Sequence, residues 1–149
     1  DGRASRRMVE GAVAQELYRA DTPYATGVTE DGNYVARNPL PLTKDVLMRG
    51  QERYNIYCAP CHDRTGSGRG AIPAKTVWIP GNLHDPRMVG MVDGELYHVV
   101  SMGRRSMPGY RFQVTEQDRW AIVAYVRALQ RASLATMADV PAEMQEKVK

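Results

Sequence analysis

The segment Cys58-Ala59-Pro60-Cys61-His62 contains both cysteines of the chain and ends in one of its three histidines. Its spacing, Cys-x-x-Cys-His, is the attachment signature of a c-type haem. Two thiols on one helical turn can form thioethers to the two vinyl groups of a single haem, and the next residue can present its imidazole to the iron. We therefore predict one covalently bound haem c, attached at Cys58 and Cys61, with His62 as an iron ligand.

Other interpretations of this segment are weaker. A thioredoxin-like Cys-x-x-Cys motif follows a strand in a βαβ unit, whereas residues 47–57 have the pattern of a helix. A structural zinc site needs four ligands, and His84 and His98 do not stand at the spacing of a zinc finger. A chance match in a loop is the remaining alternative, and a second iron ligand elsewhere in the chain argues against it.

The second iron ligand is predicted to be Met107, in the Gly- and Pro-rich segment 103–110. Pro108 fixes the backbone beside it, and the flanking glycines permit a close approach to the haem. Iron ligation by histidine and methionine is typical of electron-transfer proteins, and the thioether raises the reduction potential. His98 is the main competitor for this position and His84 a weaker one. The other methionines of this region are attributed to packing: Met88, Met91 and Met102.

Charge and hydropathy restrict the partners. The net charge of +3, from 20 basic and 17 acidic side chains, is too small to indicate a nucleic-acid partner. A modest basic bias suits docking to an acidic partner. The longest apolar run near the C-terminus, residues 120–126, is far shorter than the about 20 residues of a membrane span, so no transmembrane segment is expected. The chain begins with Asp1 rather than Met, and we expect a processed mature protein.

Composition divides the chain into three parts. Residues 1–42 form an irregular N-terminal arm with one short predicted helix, about residues 5–19, followed by a stretch punctuated by proline and glycine. Residues 43–131 form the haem domain, and residues 132–149 a short polar tail. The arm either packs on the haem domain or lies along another protein subunit. We favour the second alternative, because several side chains are unusually apolar for a solvated linker: Tyr24, Val28, Tyr34, Val35 and Leu40.

Four helices are predicted in the haem domain, and no strand pattern is found, so the fold class is all-α. Thr43 caps a helix that runs to about Tyr57. Asp85-Pro86 begins a second, short helix, with the aspartate as its cap. Asp93 starts a third, Gly94 to Met102, which Gly103 can terminate. Thr115-Glu116-Gln117-Asp118 resembles a capping box and opens the last helix, which continues to about residue 131.

These motifs together resemble a class I cytochrome c: Gly50-x-x-x-Tyr54-x-x-x-Cys58-x-x-Cys61-His62, a Met-Pro loop and a terminal helix with a tyrosine. The resemblance implies that the first and last helices cross at a glycine beside an aromatic ring, with Ile122 and Tyr125 on the last helix. It also implies that a backbone carbonyl after the haem motif holds the second nitrogen of the ligand histidine. We predict the carbonyl of Pro80 for this role.

Two longer runs resemble the monohaem cytochrome c subunit of bacterial alternative complex III: RGQERYNIYC at 49–58 and DRWAIVAYVRALQ at 118–130. The arm near NPLPL at 38–42 and the tail with DVP at 139–141 fit the same subunit. The resemblance implies a peripheral or lipid-anchored subunit on the periplasmic face of the bacterial inner membrane. Its partners would be the other subunits of a quinol-oxidising complex and a redox partner, either another cytochrome or an oxidase.

Outer-sphere electron transfer is therefore the expected activity, within a complex rather than as an independent catalyst. A freely diffusing periplasmic cytochrome c is the first alternative, although it would ordinarily need neither the arm nor the tail. A haem peroxidase is the second, and it would require an open iron site with distal acid and base groups. Five basic and aromatic residues are candidates to contact the haem propionates or to form the rim of the haem edge, although each taken alone is more often a solvated surface residue: Arg64, Arg69, Trp78, Arg104 and Arg105.

Overall fold

The fold is mainly helical, as predicted. In the computed structural model, residues 22–147 are described, and the helix predicted at residues 5–19 lies outside them. The helices are α1 (Pro23–Thr26), α2 (Lys44–Tyr57), α3 (Ala59–His62), α4 (Pro86–Val89), α5 (Asp93–Met102) and α6 (Glu116–Leu134). Short 3₁₀ turns occur at Pro73–Lys75, Met137–Asp139 and Ala142–Lys147. The all-α class is confirmed, with one small exception: β1 (Gly103–Arg104) pairs antiparallel with β2 (Met107–Pro108).

Local capping signals account for where the main helices begin. The Thr43 hydroxyl accepts a hydrogen bond of 3.3 Å from the Val46 amide at the start of α2. The Thr115 hydroxyl accepts one of 3.2 Å from the Asp118 amide at the start of α6, which ends three residues later than predicted, at Leu134. Helix α4 begins after Asp85 as predicted, but the aspartate side chain makes no capping bond.

Helices α2 and α6 cross at Gly50. A Cβ atom at Gly50 would lie 2.1 Å from the carbonyl oxygen of Ala121 and 3.0 Å from the Cβ of Tyr125. One turn away, the ring centroids of Tyr54 and Tyr125 are 5.4 Å apart. The predicted crossing of a glycine beside an aromatic ring is therefore confirmed. The closest contact is with Ala121 rather than with Ile122, which points into the core and is 1 % exposed.

The described part of the arm packs on α5 and α6. The Trp120 indole nitrogen donates to the Tyr24 carbonyl at 2.8 Å, and the Asn38 amide group donates to the Trp120 carbonyl at 2.7 Å. The Gly94 amide donates to the Val35 carbonyl at 2.8 Å. The described residues of the arm therefore pack on the haem domain, which is the alternative that the sequence analysis favoured less. Their backbone groups form hydrogen bonds with the helical domain.

No helix within residues 22–147 combines the length and the hydrophobicity that a membrane crossing requires.

Arg127 connects α6 to the segment between α4 and α5. Its guanidinium donates to the Asp93 carboxylate at 2.7 Å, to the Val89 carbonyl at 3.0 Å and to the Met91 carbonyl. The Gln130 side chain accepts from it at 2.8 Å. Arg127 therefore acts as a polar connection between α6 and the start of α5.

Replacing Arg127 by methionine is expected to destabilise the protein by about 2–3 kcal/mol, because partly buried acceptors lose a charged donor. Methionine keeps most of the apolar stem, and the Asp93 carboxylate retains only its bond from the Asn38 amide. Denaturant unfolding of the holoprotein measures the loss. Arg131→Met is the matched control, since its ion pair with Asp139 lies at the surface and its loss should change stability little. Equal losses in the two variants would contradict the role of Arg127.

Candidate functional site

Cys58 lies between α2 and α3, and Cys61 lies within the single turn of α3. Cys58 ends α2, with its amide donating to the Tyr54 carbonyl, and the His62 amide donates to the Cys58 carbonyl at 2.8 Å. Both thiols are free; Cys58 is 7 % exposed and Cys61 is half-buried. Burial raises the pKa of Cys58 to about 12 and also raises the pKa of Cys61. One helical turn thus carries two protonated thiols and, next to the second, the imidazole of His62.

The His62 ring is fixed by a backbone carbonyl. Nδ1 lies 3.0 Å from the Gly81 oxygen, and because that oxygen only accepts, Nδ1 carries the proton. Burial lowers the pKa of His62, against the smaller opposing effects of Gly81 and Asp63. The imidazole is therefore neutral at neutral pH, and Nε2 keeps its lone pair for a metal ion.

The prediction of Pro80 as the carbonyl partner of His62 is wrong by one residue. The Pro80 oxygen faces Gly68 instead, at 2.9 Å from where a Cβ of Gly68 would stand. Both oxygens lie close to this Cβ position, the Gly81 oxygen at 3.3 Å. A sequence pattern that locates the segment therefore does not decide which of two neighbouring carbonyls faces the imidazole.

Asp63, directly after His62, organises the following turn, and the sequence analysis missed it. Its backbone has φ 56°, and its carbonyl accepts a 2.8 Å hydrogen bond from the buried Tyr54 hydroxyl. Its carboxylate accepts bonds from the Thr65 amide at 2.5 Å, the Thr65 hydroxyl at 2.6 Å, the Gly66 amide at 3.0 Å and the Arg69 amide at 3.1 Å. A fifth donor is the Ser67 hydroxyl.

The charge state of Asp63 makes stability depend on pH. Desolvation alone would raise the pKa of this carboxyl, but the bonds from Ser67, Thr65 and Arg69 outweigh it and hold the pKa well below the usual value. A depressed folded-state pKa adds stability that is fully present above the unfolded value of about 4. That stability is lost as the pH falls through the folded-state pKa.

We therefore expect Asp63→Asn to lower stability near neutral pH and to flatten the fall of stability below about pH 4. Denaturant unfolding at a series of pH values between about 2 and 7 measures the slope, with the wild type as the reference. Parallel pH profiles for the two proteins would show that this carboxylate is not preferentially stabilised in the folded state.

Met107 lies on β2, in the tight turn where Arg104 pairs with Met107. Its side chain is half-buried. The Trp78 indole donates to the Ser106 hydroxyl and so joins this turn to the loop that follows His62. Three residues beyond Met107, burial raises the pKa of Tyr110, and both cysteine thiols raise it further. The turn with Met107 therefore contacts the loop that follows His62 through Trp78. Along the chain it is followed by Tyr110, which lies near the two cysteines.

The two competing histidines are engaged elsewhere. His98 Nδ1 lies 3.4 Å from the Thr26 carbonyl, and its ring centroid is 5.6 Å from that of Tyr34, so this ring packs against the arm. His84 Nε2 lies 2.7 Å from the Thr65 carbonyl. Both rings hold neighbouring loop segments, which favours Met107 among the ligands that the sequence suggested.

Several residues predicted around the site have defined positions. Met91 is buried and Met88 packs against the core, as predicted, but Met102 is 52 % exposed, so its assignment to packing is wrong. Arg104 forms an ion pair with Glu95 at 3.0 Å. The other basic residues considered for the haem rim are exposed: Arg64, Arg69 and Arg105.

These donors match the requirements of a haem c. Two free thiols on one turn would provide the attachment atoms, and a neutral imidazole whose Nδ1 is held by a carbonyl would provide a nitrogen ligand. Within residues 22–147, no three side chains of His, Cys, Asp or Glu come together as a metal-binding group. The four-ligand set of a structural zinc site is therefore not formed by this part of the chain.

Comparison with known proteins agrees with this arrangement. Residues 45–126 match the sequence profile of a family described as "Cytochrome C oxidase, cbb3-type, subunit III". No curated protein matches the sequence. Among solved structures, one chain of the Kuenenia stuttgartiensis reducing HAO-like protein complex Kustc0457/Kustc0458 is similar, with a TM-score of 0.53 and 21 % identity over 65 % of this chain.

The likeness to that structure is one of fold, and the aligned region spans 49 % of the neighbour's length. The family match, in contrast, covers more than half of this chain, from the first residues of α2 to the middle of α6, and includes the Cys-x-x-Cys-His turn and Met107. The chain therefore belongs to the family of c-type cytochrome domains described as cytochrome C oxidase, cbb3-type, subunit III.

Proposed function

We propose that this protein is a monohaem electron carrier, with one haem c attached at Cys58 and Cys61 and its iron ligated by His62 and Met107. A bound haem c supplies a one-electron couple. The observation that carries the proposal is the His62 ring, whose Nδ1 is held by the Gly81 carbonyl beside two free cysteines on one turn. An outer hydrogen bond of this kind fixes the tautomer and strengthens the ligand.

The protein's side chains favour electron transfer over catalysis at the metal. With haem bound, His62 and the Met107 thioether would both ligate the iron, and the thioether would favour the reduced state. With both ligands in place, a peroxide substrate would not bind the iron directly. Of the two rings that could serve as a distal base, His84 and His98, each is turned towards a backbone carbonyl. Neither of these two histidines is therefore assigned the role of the distal acid–base group that a peroxidase requires.

We further propose that the protein is a subunit of a membrane-bound respiratory complex, on the periplasmic face of the bacterial inner membrane. Support comes from the resemblance of runs 49–58 and 118–130 to the monohaem subunit of alternative complex III. In the fold these runs meet, with Arg49 bound to the Asp118 carboxylate at 2.6 and 3.0 Å. The family description adds a terminal oxidase as a second possible assembly.

The charge around the site suits an acidic redox partner. Segments 64–84 and 103–115 contain no carboxylate, and their cationic side chains number six: Arg64, Lys75, Arg69, Arg104, Arg105 and Arg111. Complementary charge accelerates association and falls in effect with salt. The electron-transfer rate to the physiological acceptor should therefore decrease as ionic strength increases.

Purification from native membranes under mild detergent tests the assembly. Recovery together with iron–sulfur and multihaem subunits supports alternative complex III, and recovery with a haem–copper oxidase supports the oxidase. A protein that separates from every membrane subunit would instead be the freely diffusing cytochrome. An absorption spectrum comes first, since a preparation without a c-type spectrum would contradict the electron-carrier proposal itself.

A further inference from the structure

The turn that begins at Asp63 touches the peptide that holds the ligand histidine. The Gly68 amide donates to the His62 carbonyl at 3.0 Å, and Gly68 has φ +83°. A Cβ at Gly68 would lie 2.9 Å from the Pro80 oxygen and 3.3 Å from the Gly81 oxygen. The Gly68 backbone is therefore in direct contact with the segment whose carbonyl accepts from His62.

The Asp63 carboxylate determines where Gly68 lies. Its acceptor bonds involve residues 65, 66, 67 and 69, on both sides of Gly68. Three of those donors are backbone amides, so the carboxylate fixes the path of the main chain rather than only the side chains. Without it, the amides of a half-buried turn would lose their acceptors and the turn would change its path.

We propose that Asp63 is a positioning residue for the iron ligand. Three successive contacts connect Asp63 to the imidazole. The carboxylate shapes the turn, Gly68 in that turn supports the 80–81 peptide, and the Gly81 carbonyl accepts a hydrogen bond from His62 Nδ1. Distortion of the turn lengthens the bond from Nδ1 to Gly81 and weakens the imidazole as a ligand. This inference rests on the proposed function, since it assumes that His62 ligates the haem iron.

The test uses the holoprotein and follows the Nδ1 proton of His62. In the reduced state, NMR measures the exchange of this proton with solvent, and Asp63→Asn is expected to accelerate it by about tenfold, the scale on which outer-shell changes act. The reduction potential is measured in parallel, and it should increase, because a weaker bond at Nδ1 makes the imidazole a poorer donor to the ferric iron.

Loss of a negative charge near the iron would also raise the potential, so two variants without a charge change separate the effects. Thr65→Val removes one hydroxyl donor to the carboxylate at nearly constant volume, and Gly68→Ala places a Cβ against the 80–81 peptide. Positioning predicts faster exchange of the Nδ1 proton in both, with a smaller effect for Thr65→Val. A purely electrostatic role of Asp63 predicts wild-type exchange in Thr65→Val, whereas Gly68→Ala disturbs the 80–81 peptide directly and serves as the positive control for a displaced Gly81 carbonyl.

Unchanged exchange in Asp63→Asn and Thr65→Val, with the c-type spectrum intact, would overturn the positioning role and leave the electron-carrier proposal standing. A wild-type protein whose His62 ring shows no contact with the haem iron would instead overturn the proposed function. Thr65→Val keeps the carboxylate and the backbone bonds, so it provides a result even if Asp63→Asn does not accumulate as a folded protein.

Discussion

Replacing Met107 by alanine is expected to abolish the weak far-red absorption band that methionine-ligated ferric haem shows, and to lower the reduction potential. Alanine has no thioether, so the ligand that we propose to favour the reduced state would be lost. The turn itself should persist, because the pairing of Arg104 with Met107 uses backbone atoms. Oxidised and reduced spectra and a redox titration of the purified holoprotein measure both effects.

Met102→Ala is the matched control for this result. Met102 lies at the end of α5, five residues before Met107, and is 52 % exposed. Its substitution should leave the far-red band and the potential unchanged. A band that survives in Met107→Ala would assign the ligand to another residue, and His98→Ala would then be the next variant to measure. A band absent from the wild type would bring the open-iron alternative back.

Local chemistry explains why the sequence predicted the helices and the attachment turn. Thr43 and Thr115 cap the helices that follow them because a hydroxyl beside free amides acts within one turn of chain. The Cys-x-x-Cys-His spacing likewise operates within a single turn. The crossing of α2 and α6 was implied by the resemblance to class I cytochrome c, whose first-helix motif Gly50 and Tyr54 match.

Tertiary contacts account for what the sequence could not predict. Choosing Gly81 over Pro80 requires knowing how the loop turns relative to the imidazole, which depends on Gly68 and hence on Asp63. The five donors of Asp63 come from residues that carry no motif of their own. Met102 was misplaced for a related reason: Leu96 and Tyr97 on α5 are buried, but Met102 at the end of that helix is exposed even though the adjacent Ser101 is buried.

The helix crossing and the iron site are mechanically connected. Tyr54, which is fully buried and packs on Tyr125 of α6, donates its hydroxyl to the Asp63 carbonyl at 2.8 Å. Asp63, next to His62, is thus held by two interactions: its carbonyl is bound to Tyr54 in the core, and its carboxylate is bound to the following turn. A change in the separation of α2 and α6 is therefore expected to reach the site through Tyr54.

Gly50→Ala is expected to destabilise the holoprotein by about 3 kcal/mol. In an open helix position the substitution would add about 1 kcal/mol of stability through helix propensity. At Gly50 the new Cβ would stand 2.1 Å from the Ala121 carbonyl oxygen, and a backbone atom cannot rotate away as a side chain can. The two helices must separate, which weakens the contact of Tyr54 with Tyr125 and the ion pair of Arg49 with Asp118.

Denaturant unfolding followed by circular dichroism measures the loss, with Met48→Ala as the control on the same helix. Met48 is 55 % exposed, so its truncation should change stability by no more than about 0.5 kcal/mol. Because the separation of the helices also moves Tyr54, Gly50→Ala should accelerate exchange of the His62 Nδ1 proton as well. A Gly50→Ala protein as stable as Met48→Ala would show that α2 and α6 do not meet at this glycine. It would also contradict the connection from the helix crossing through Tyr54 to Asp63.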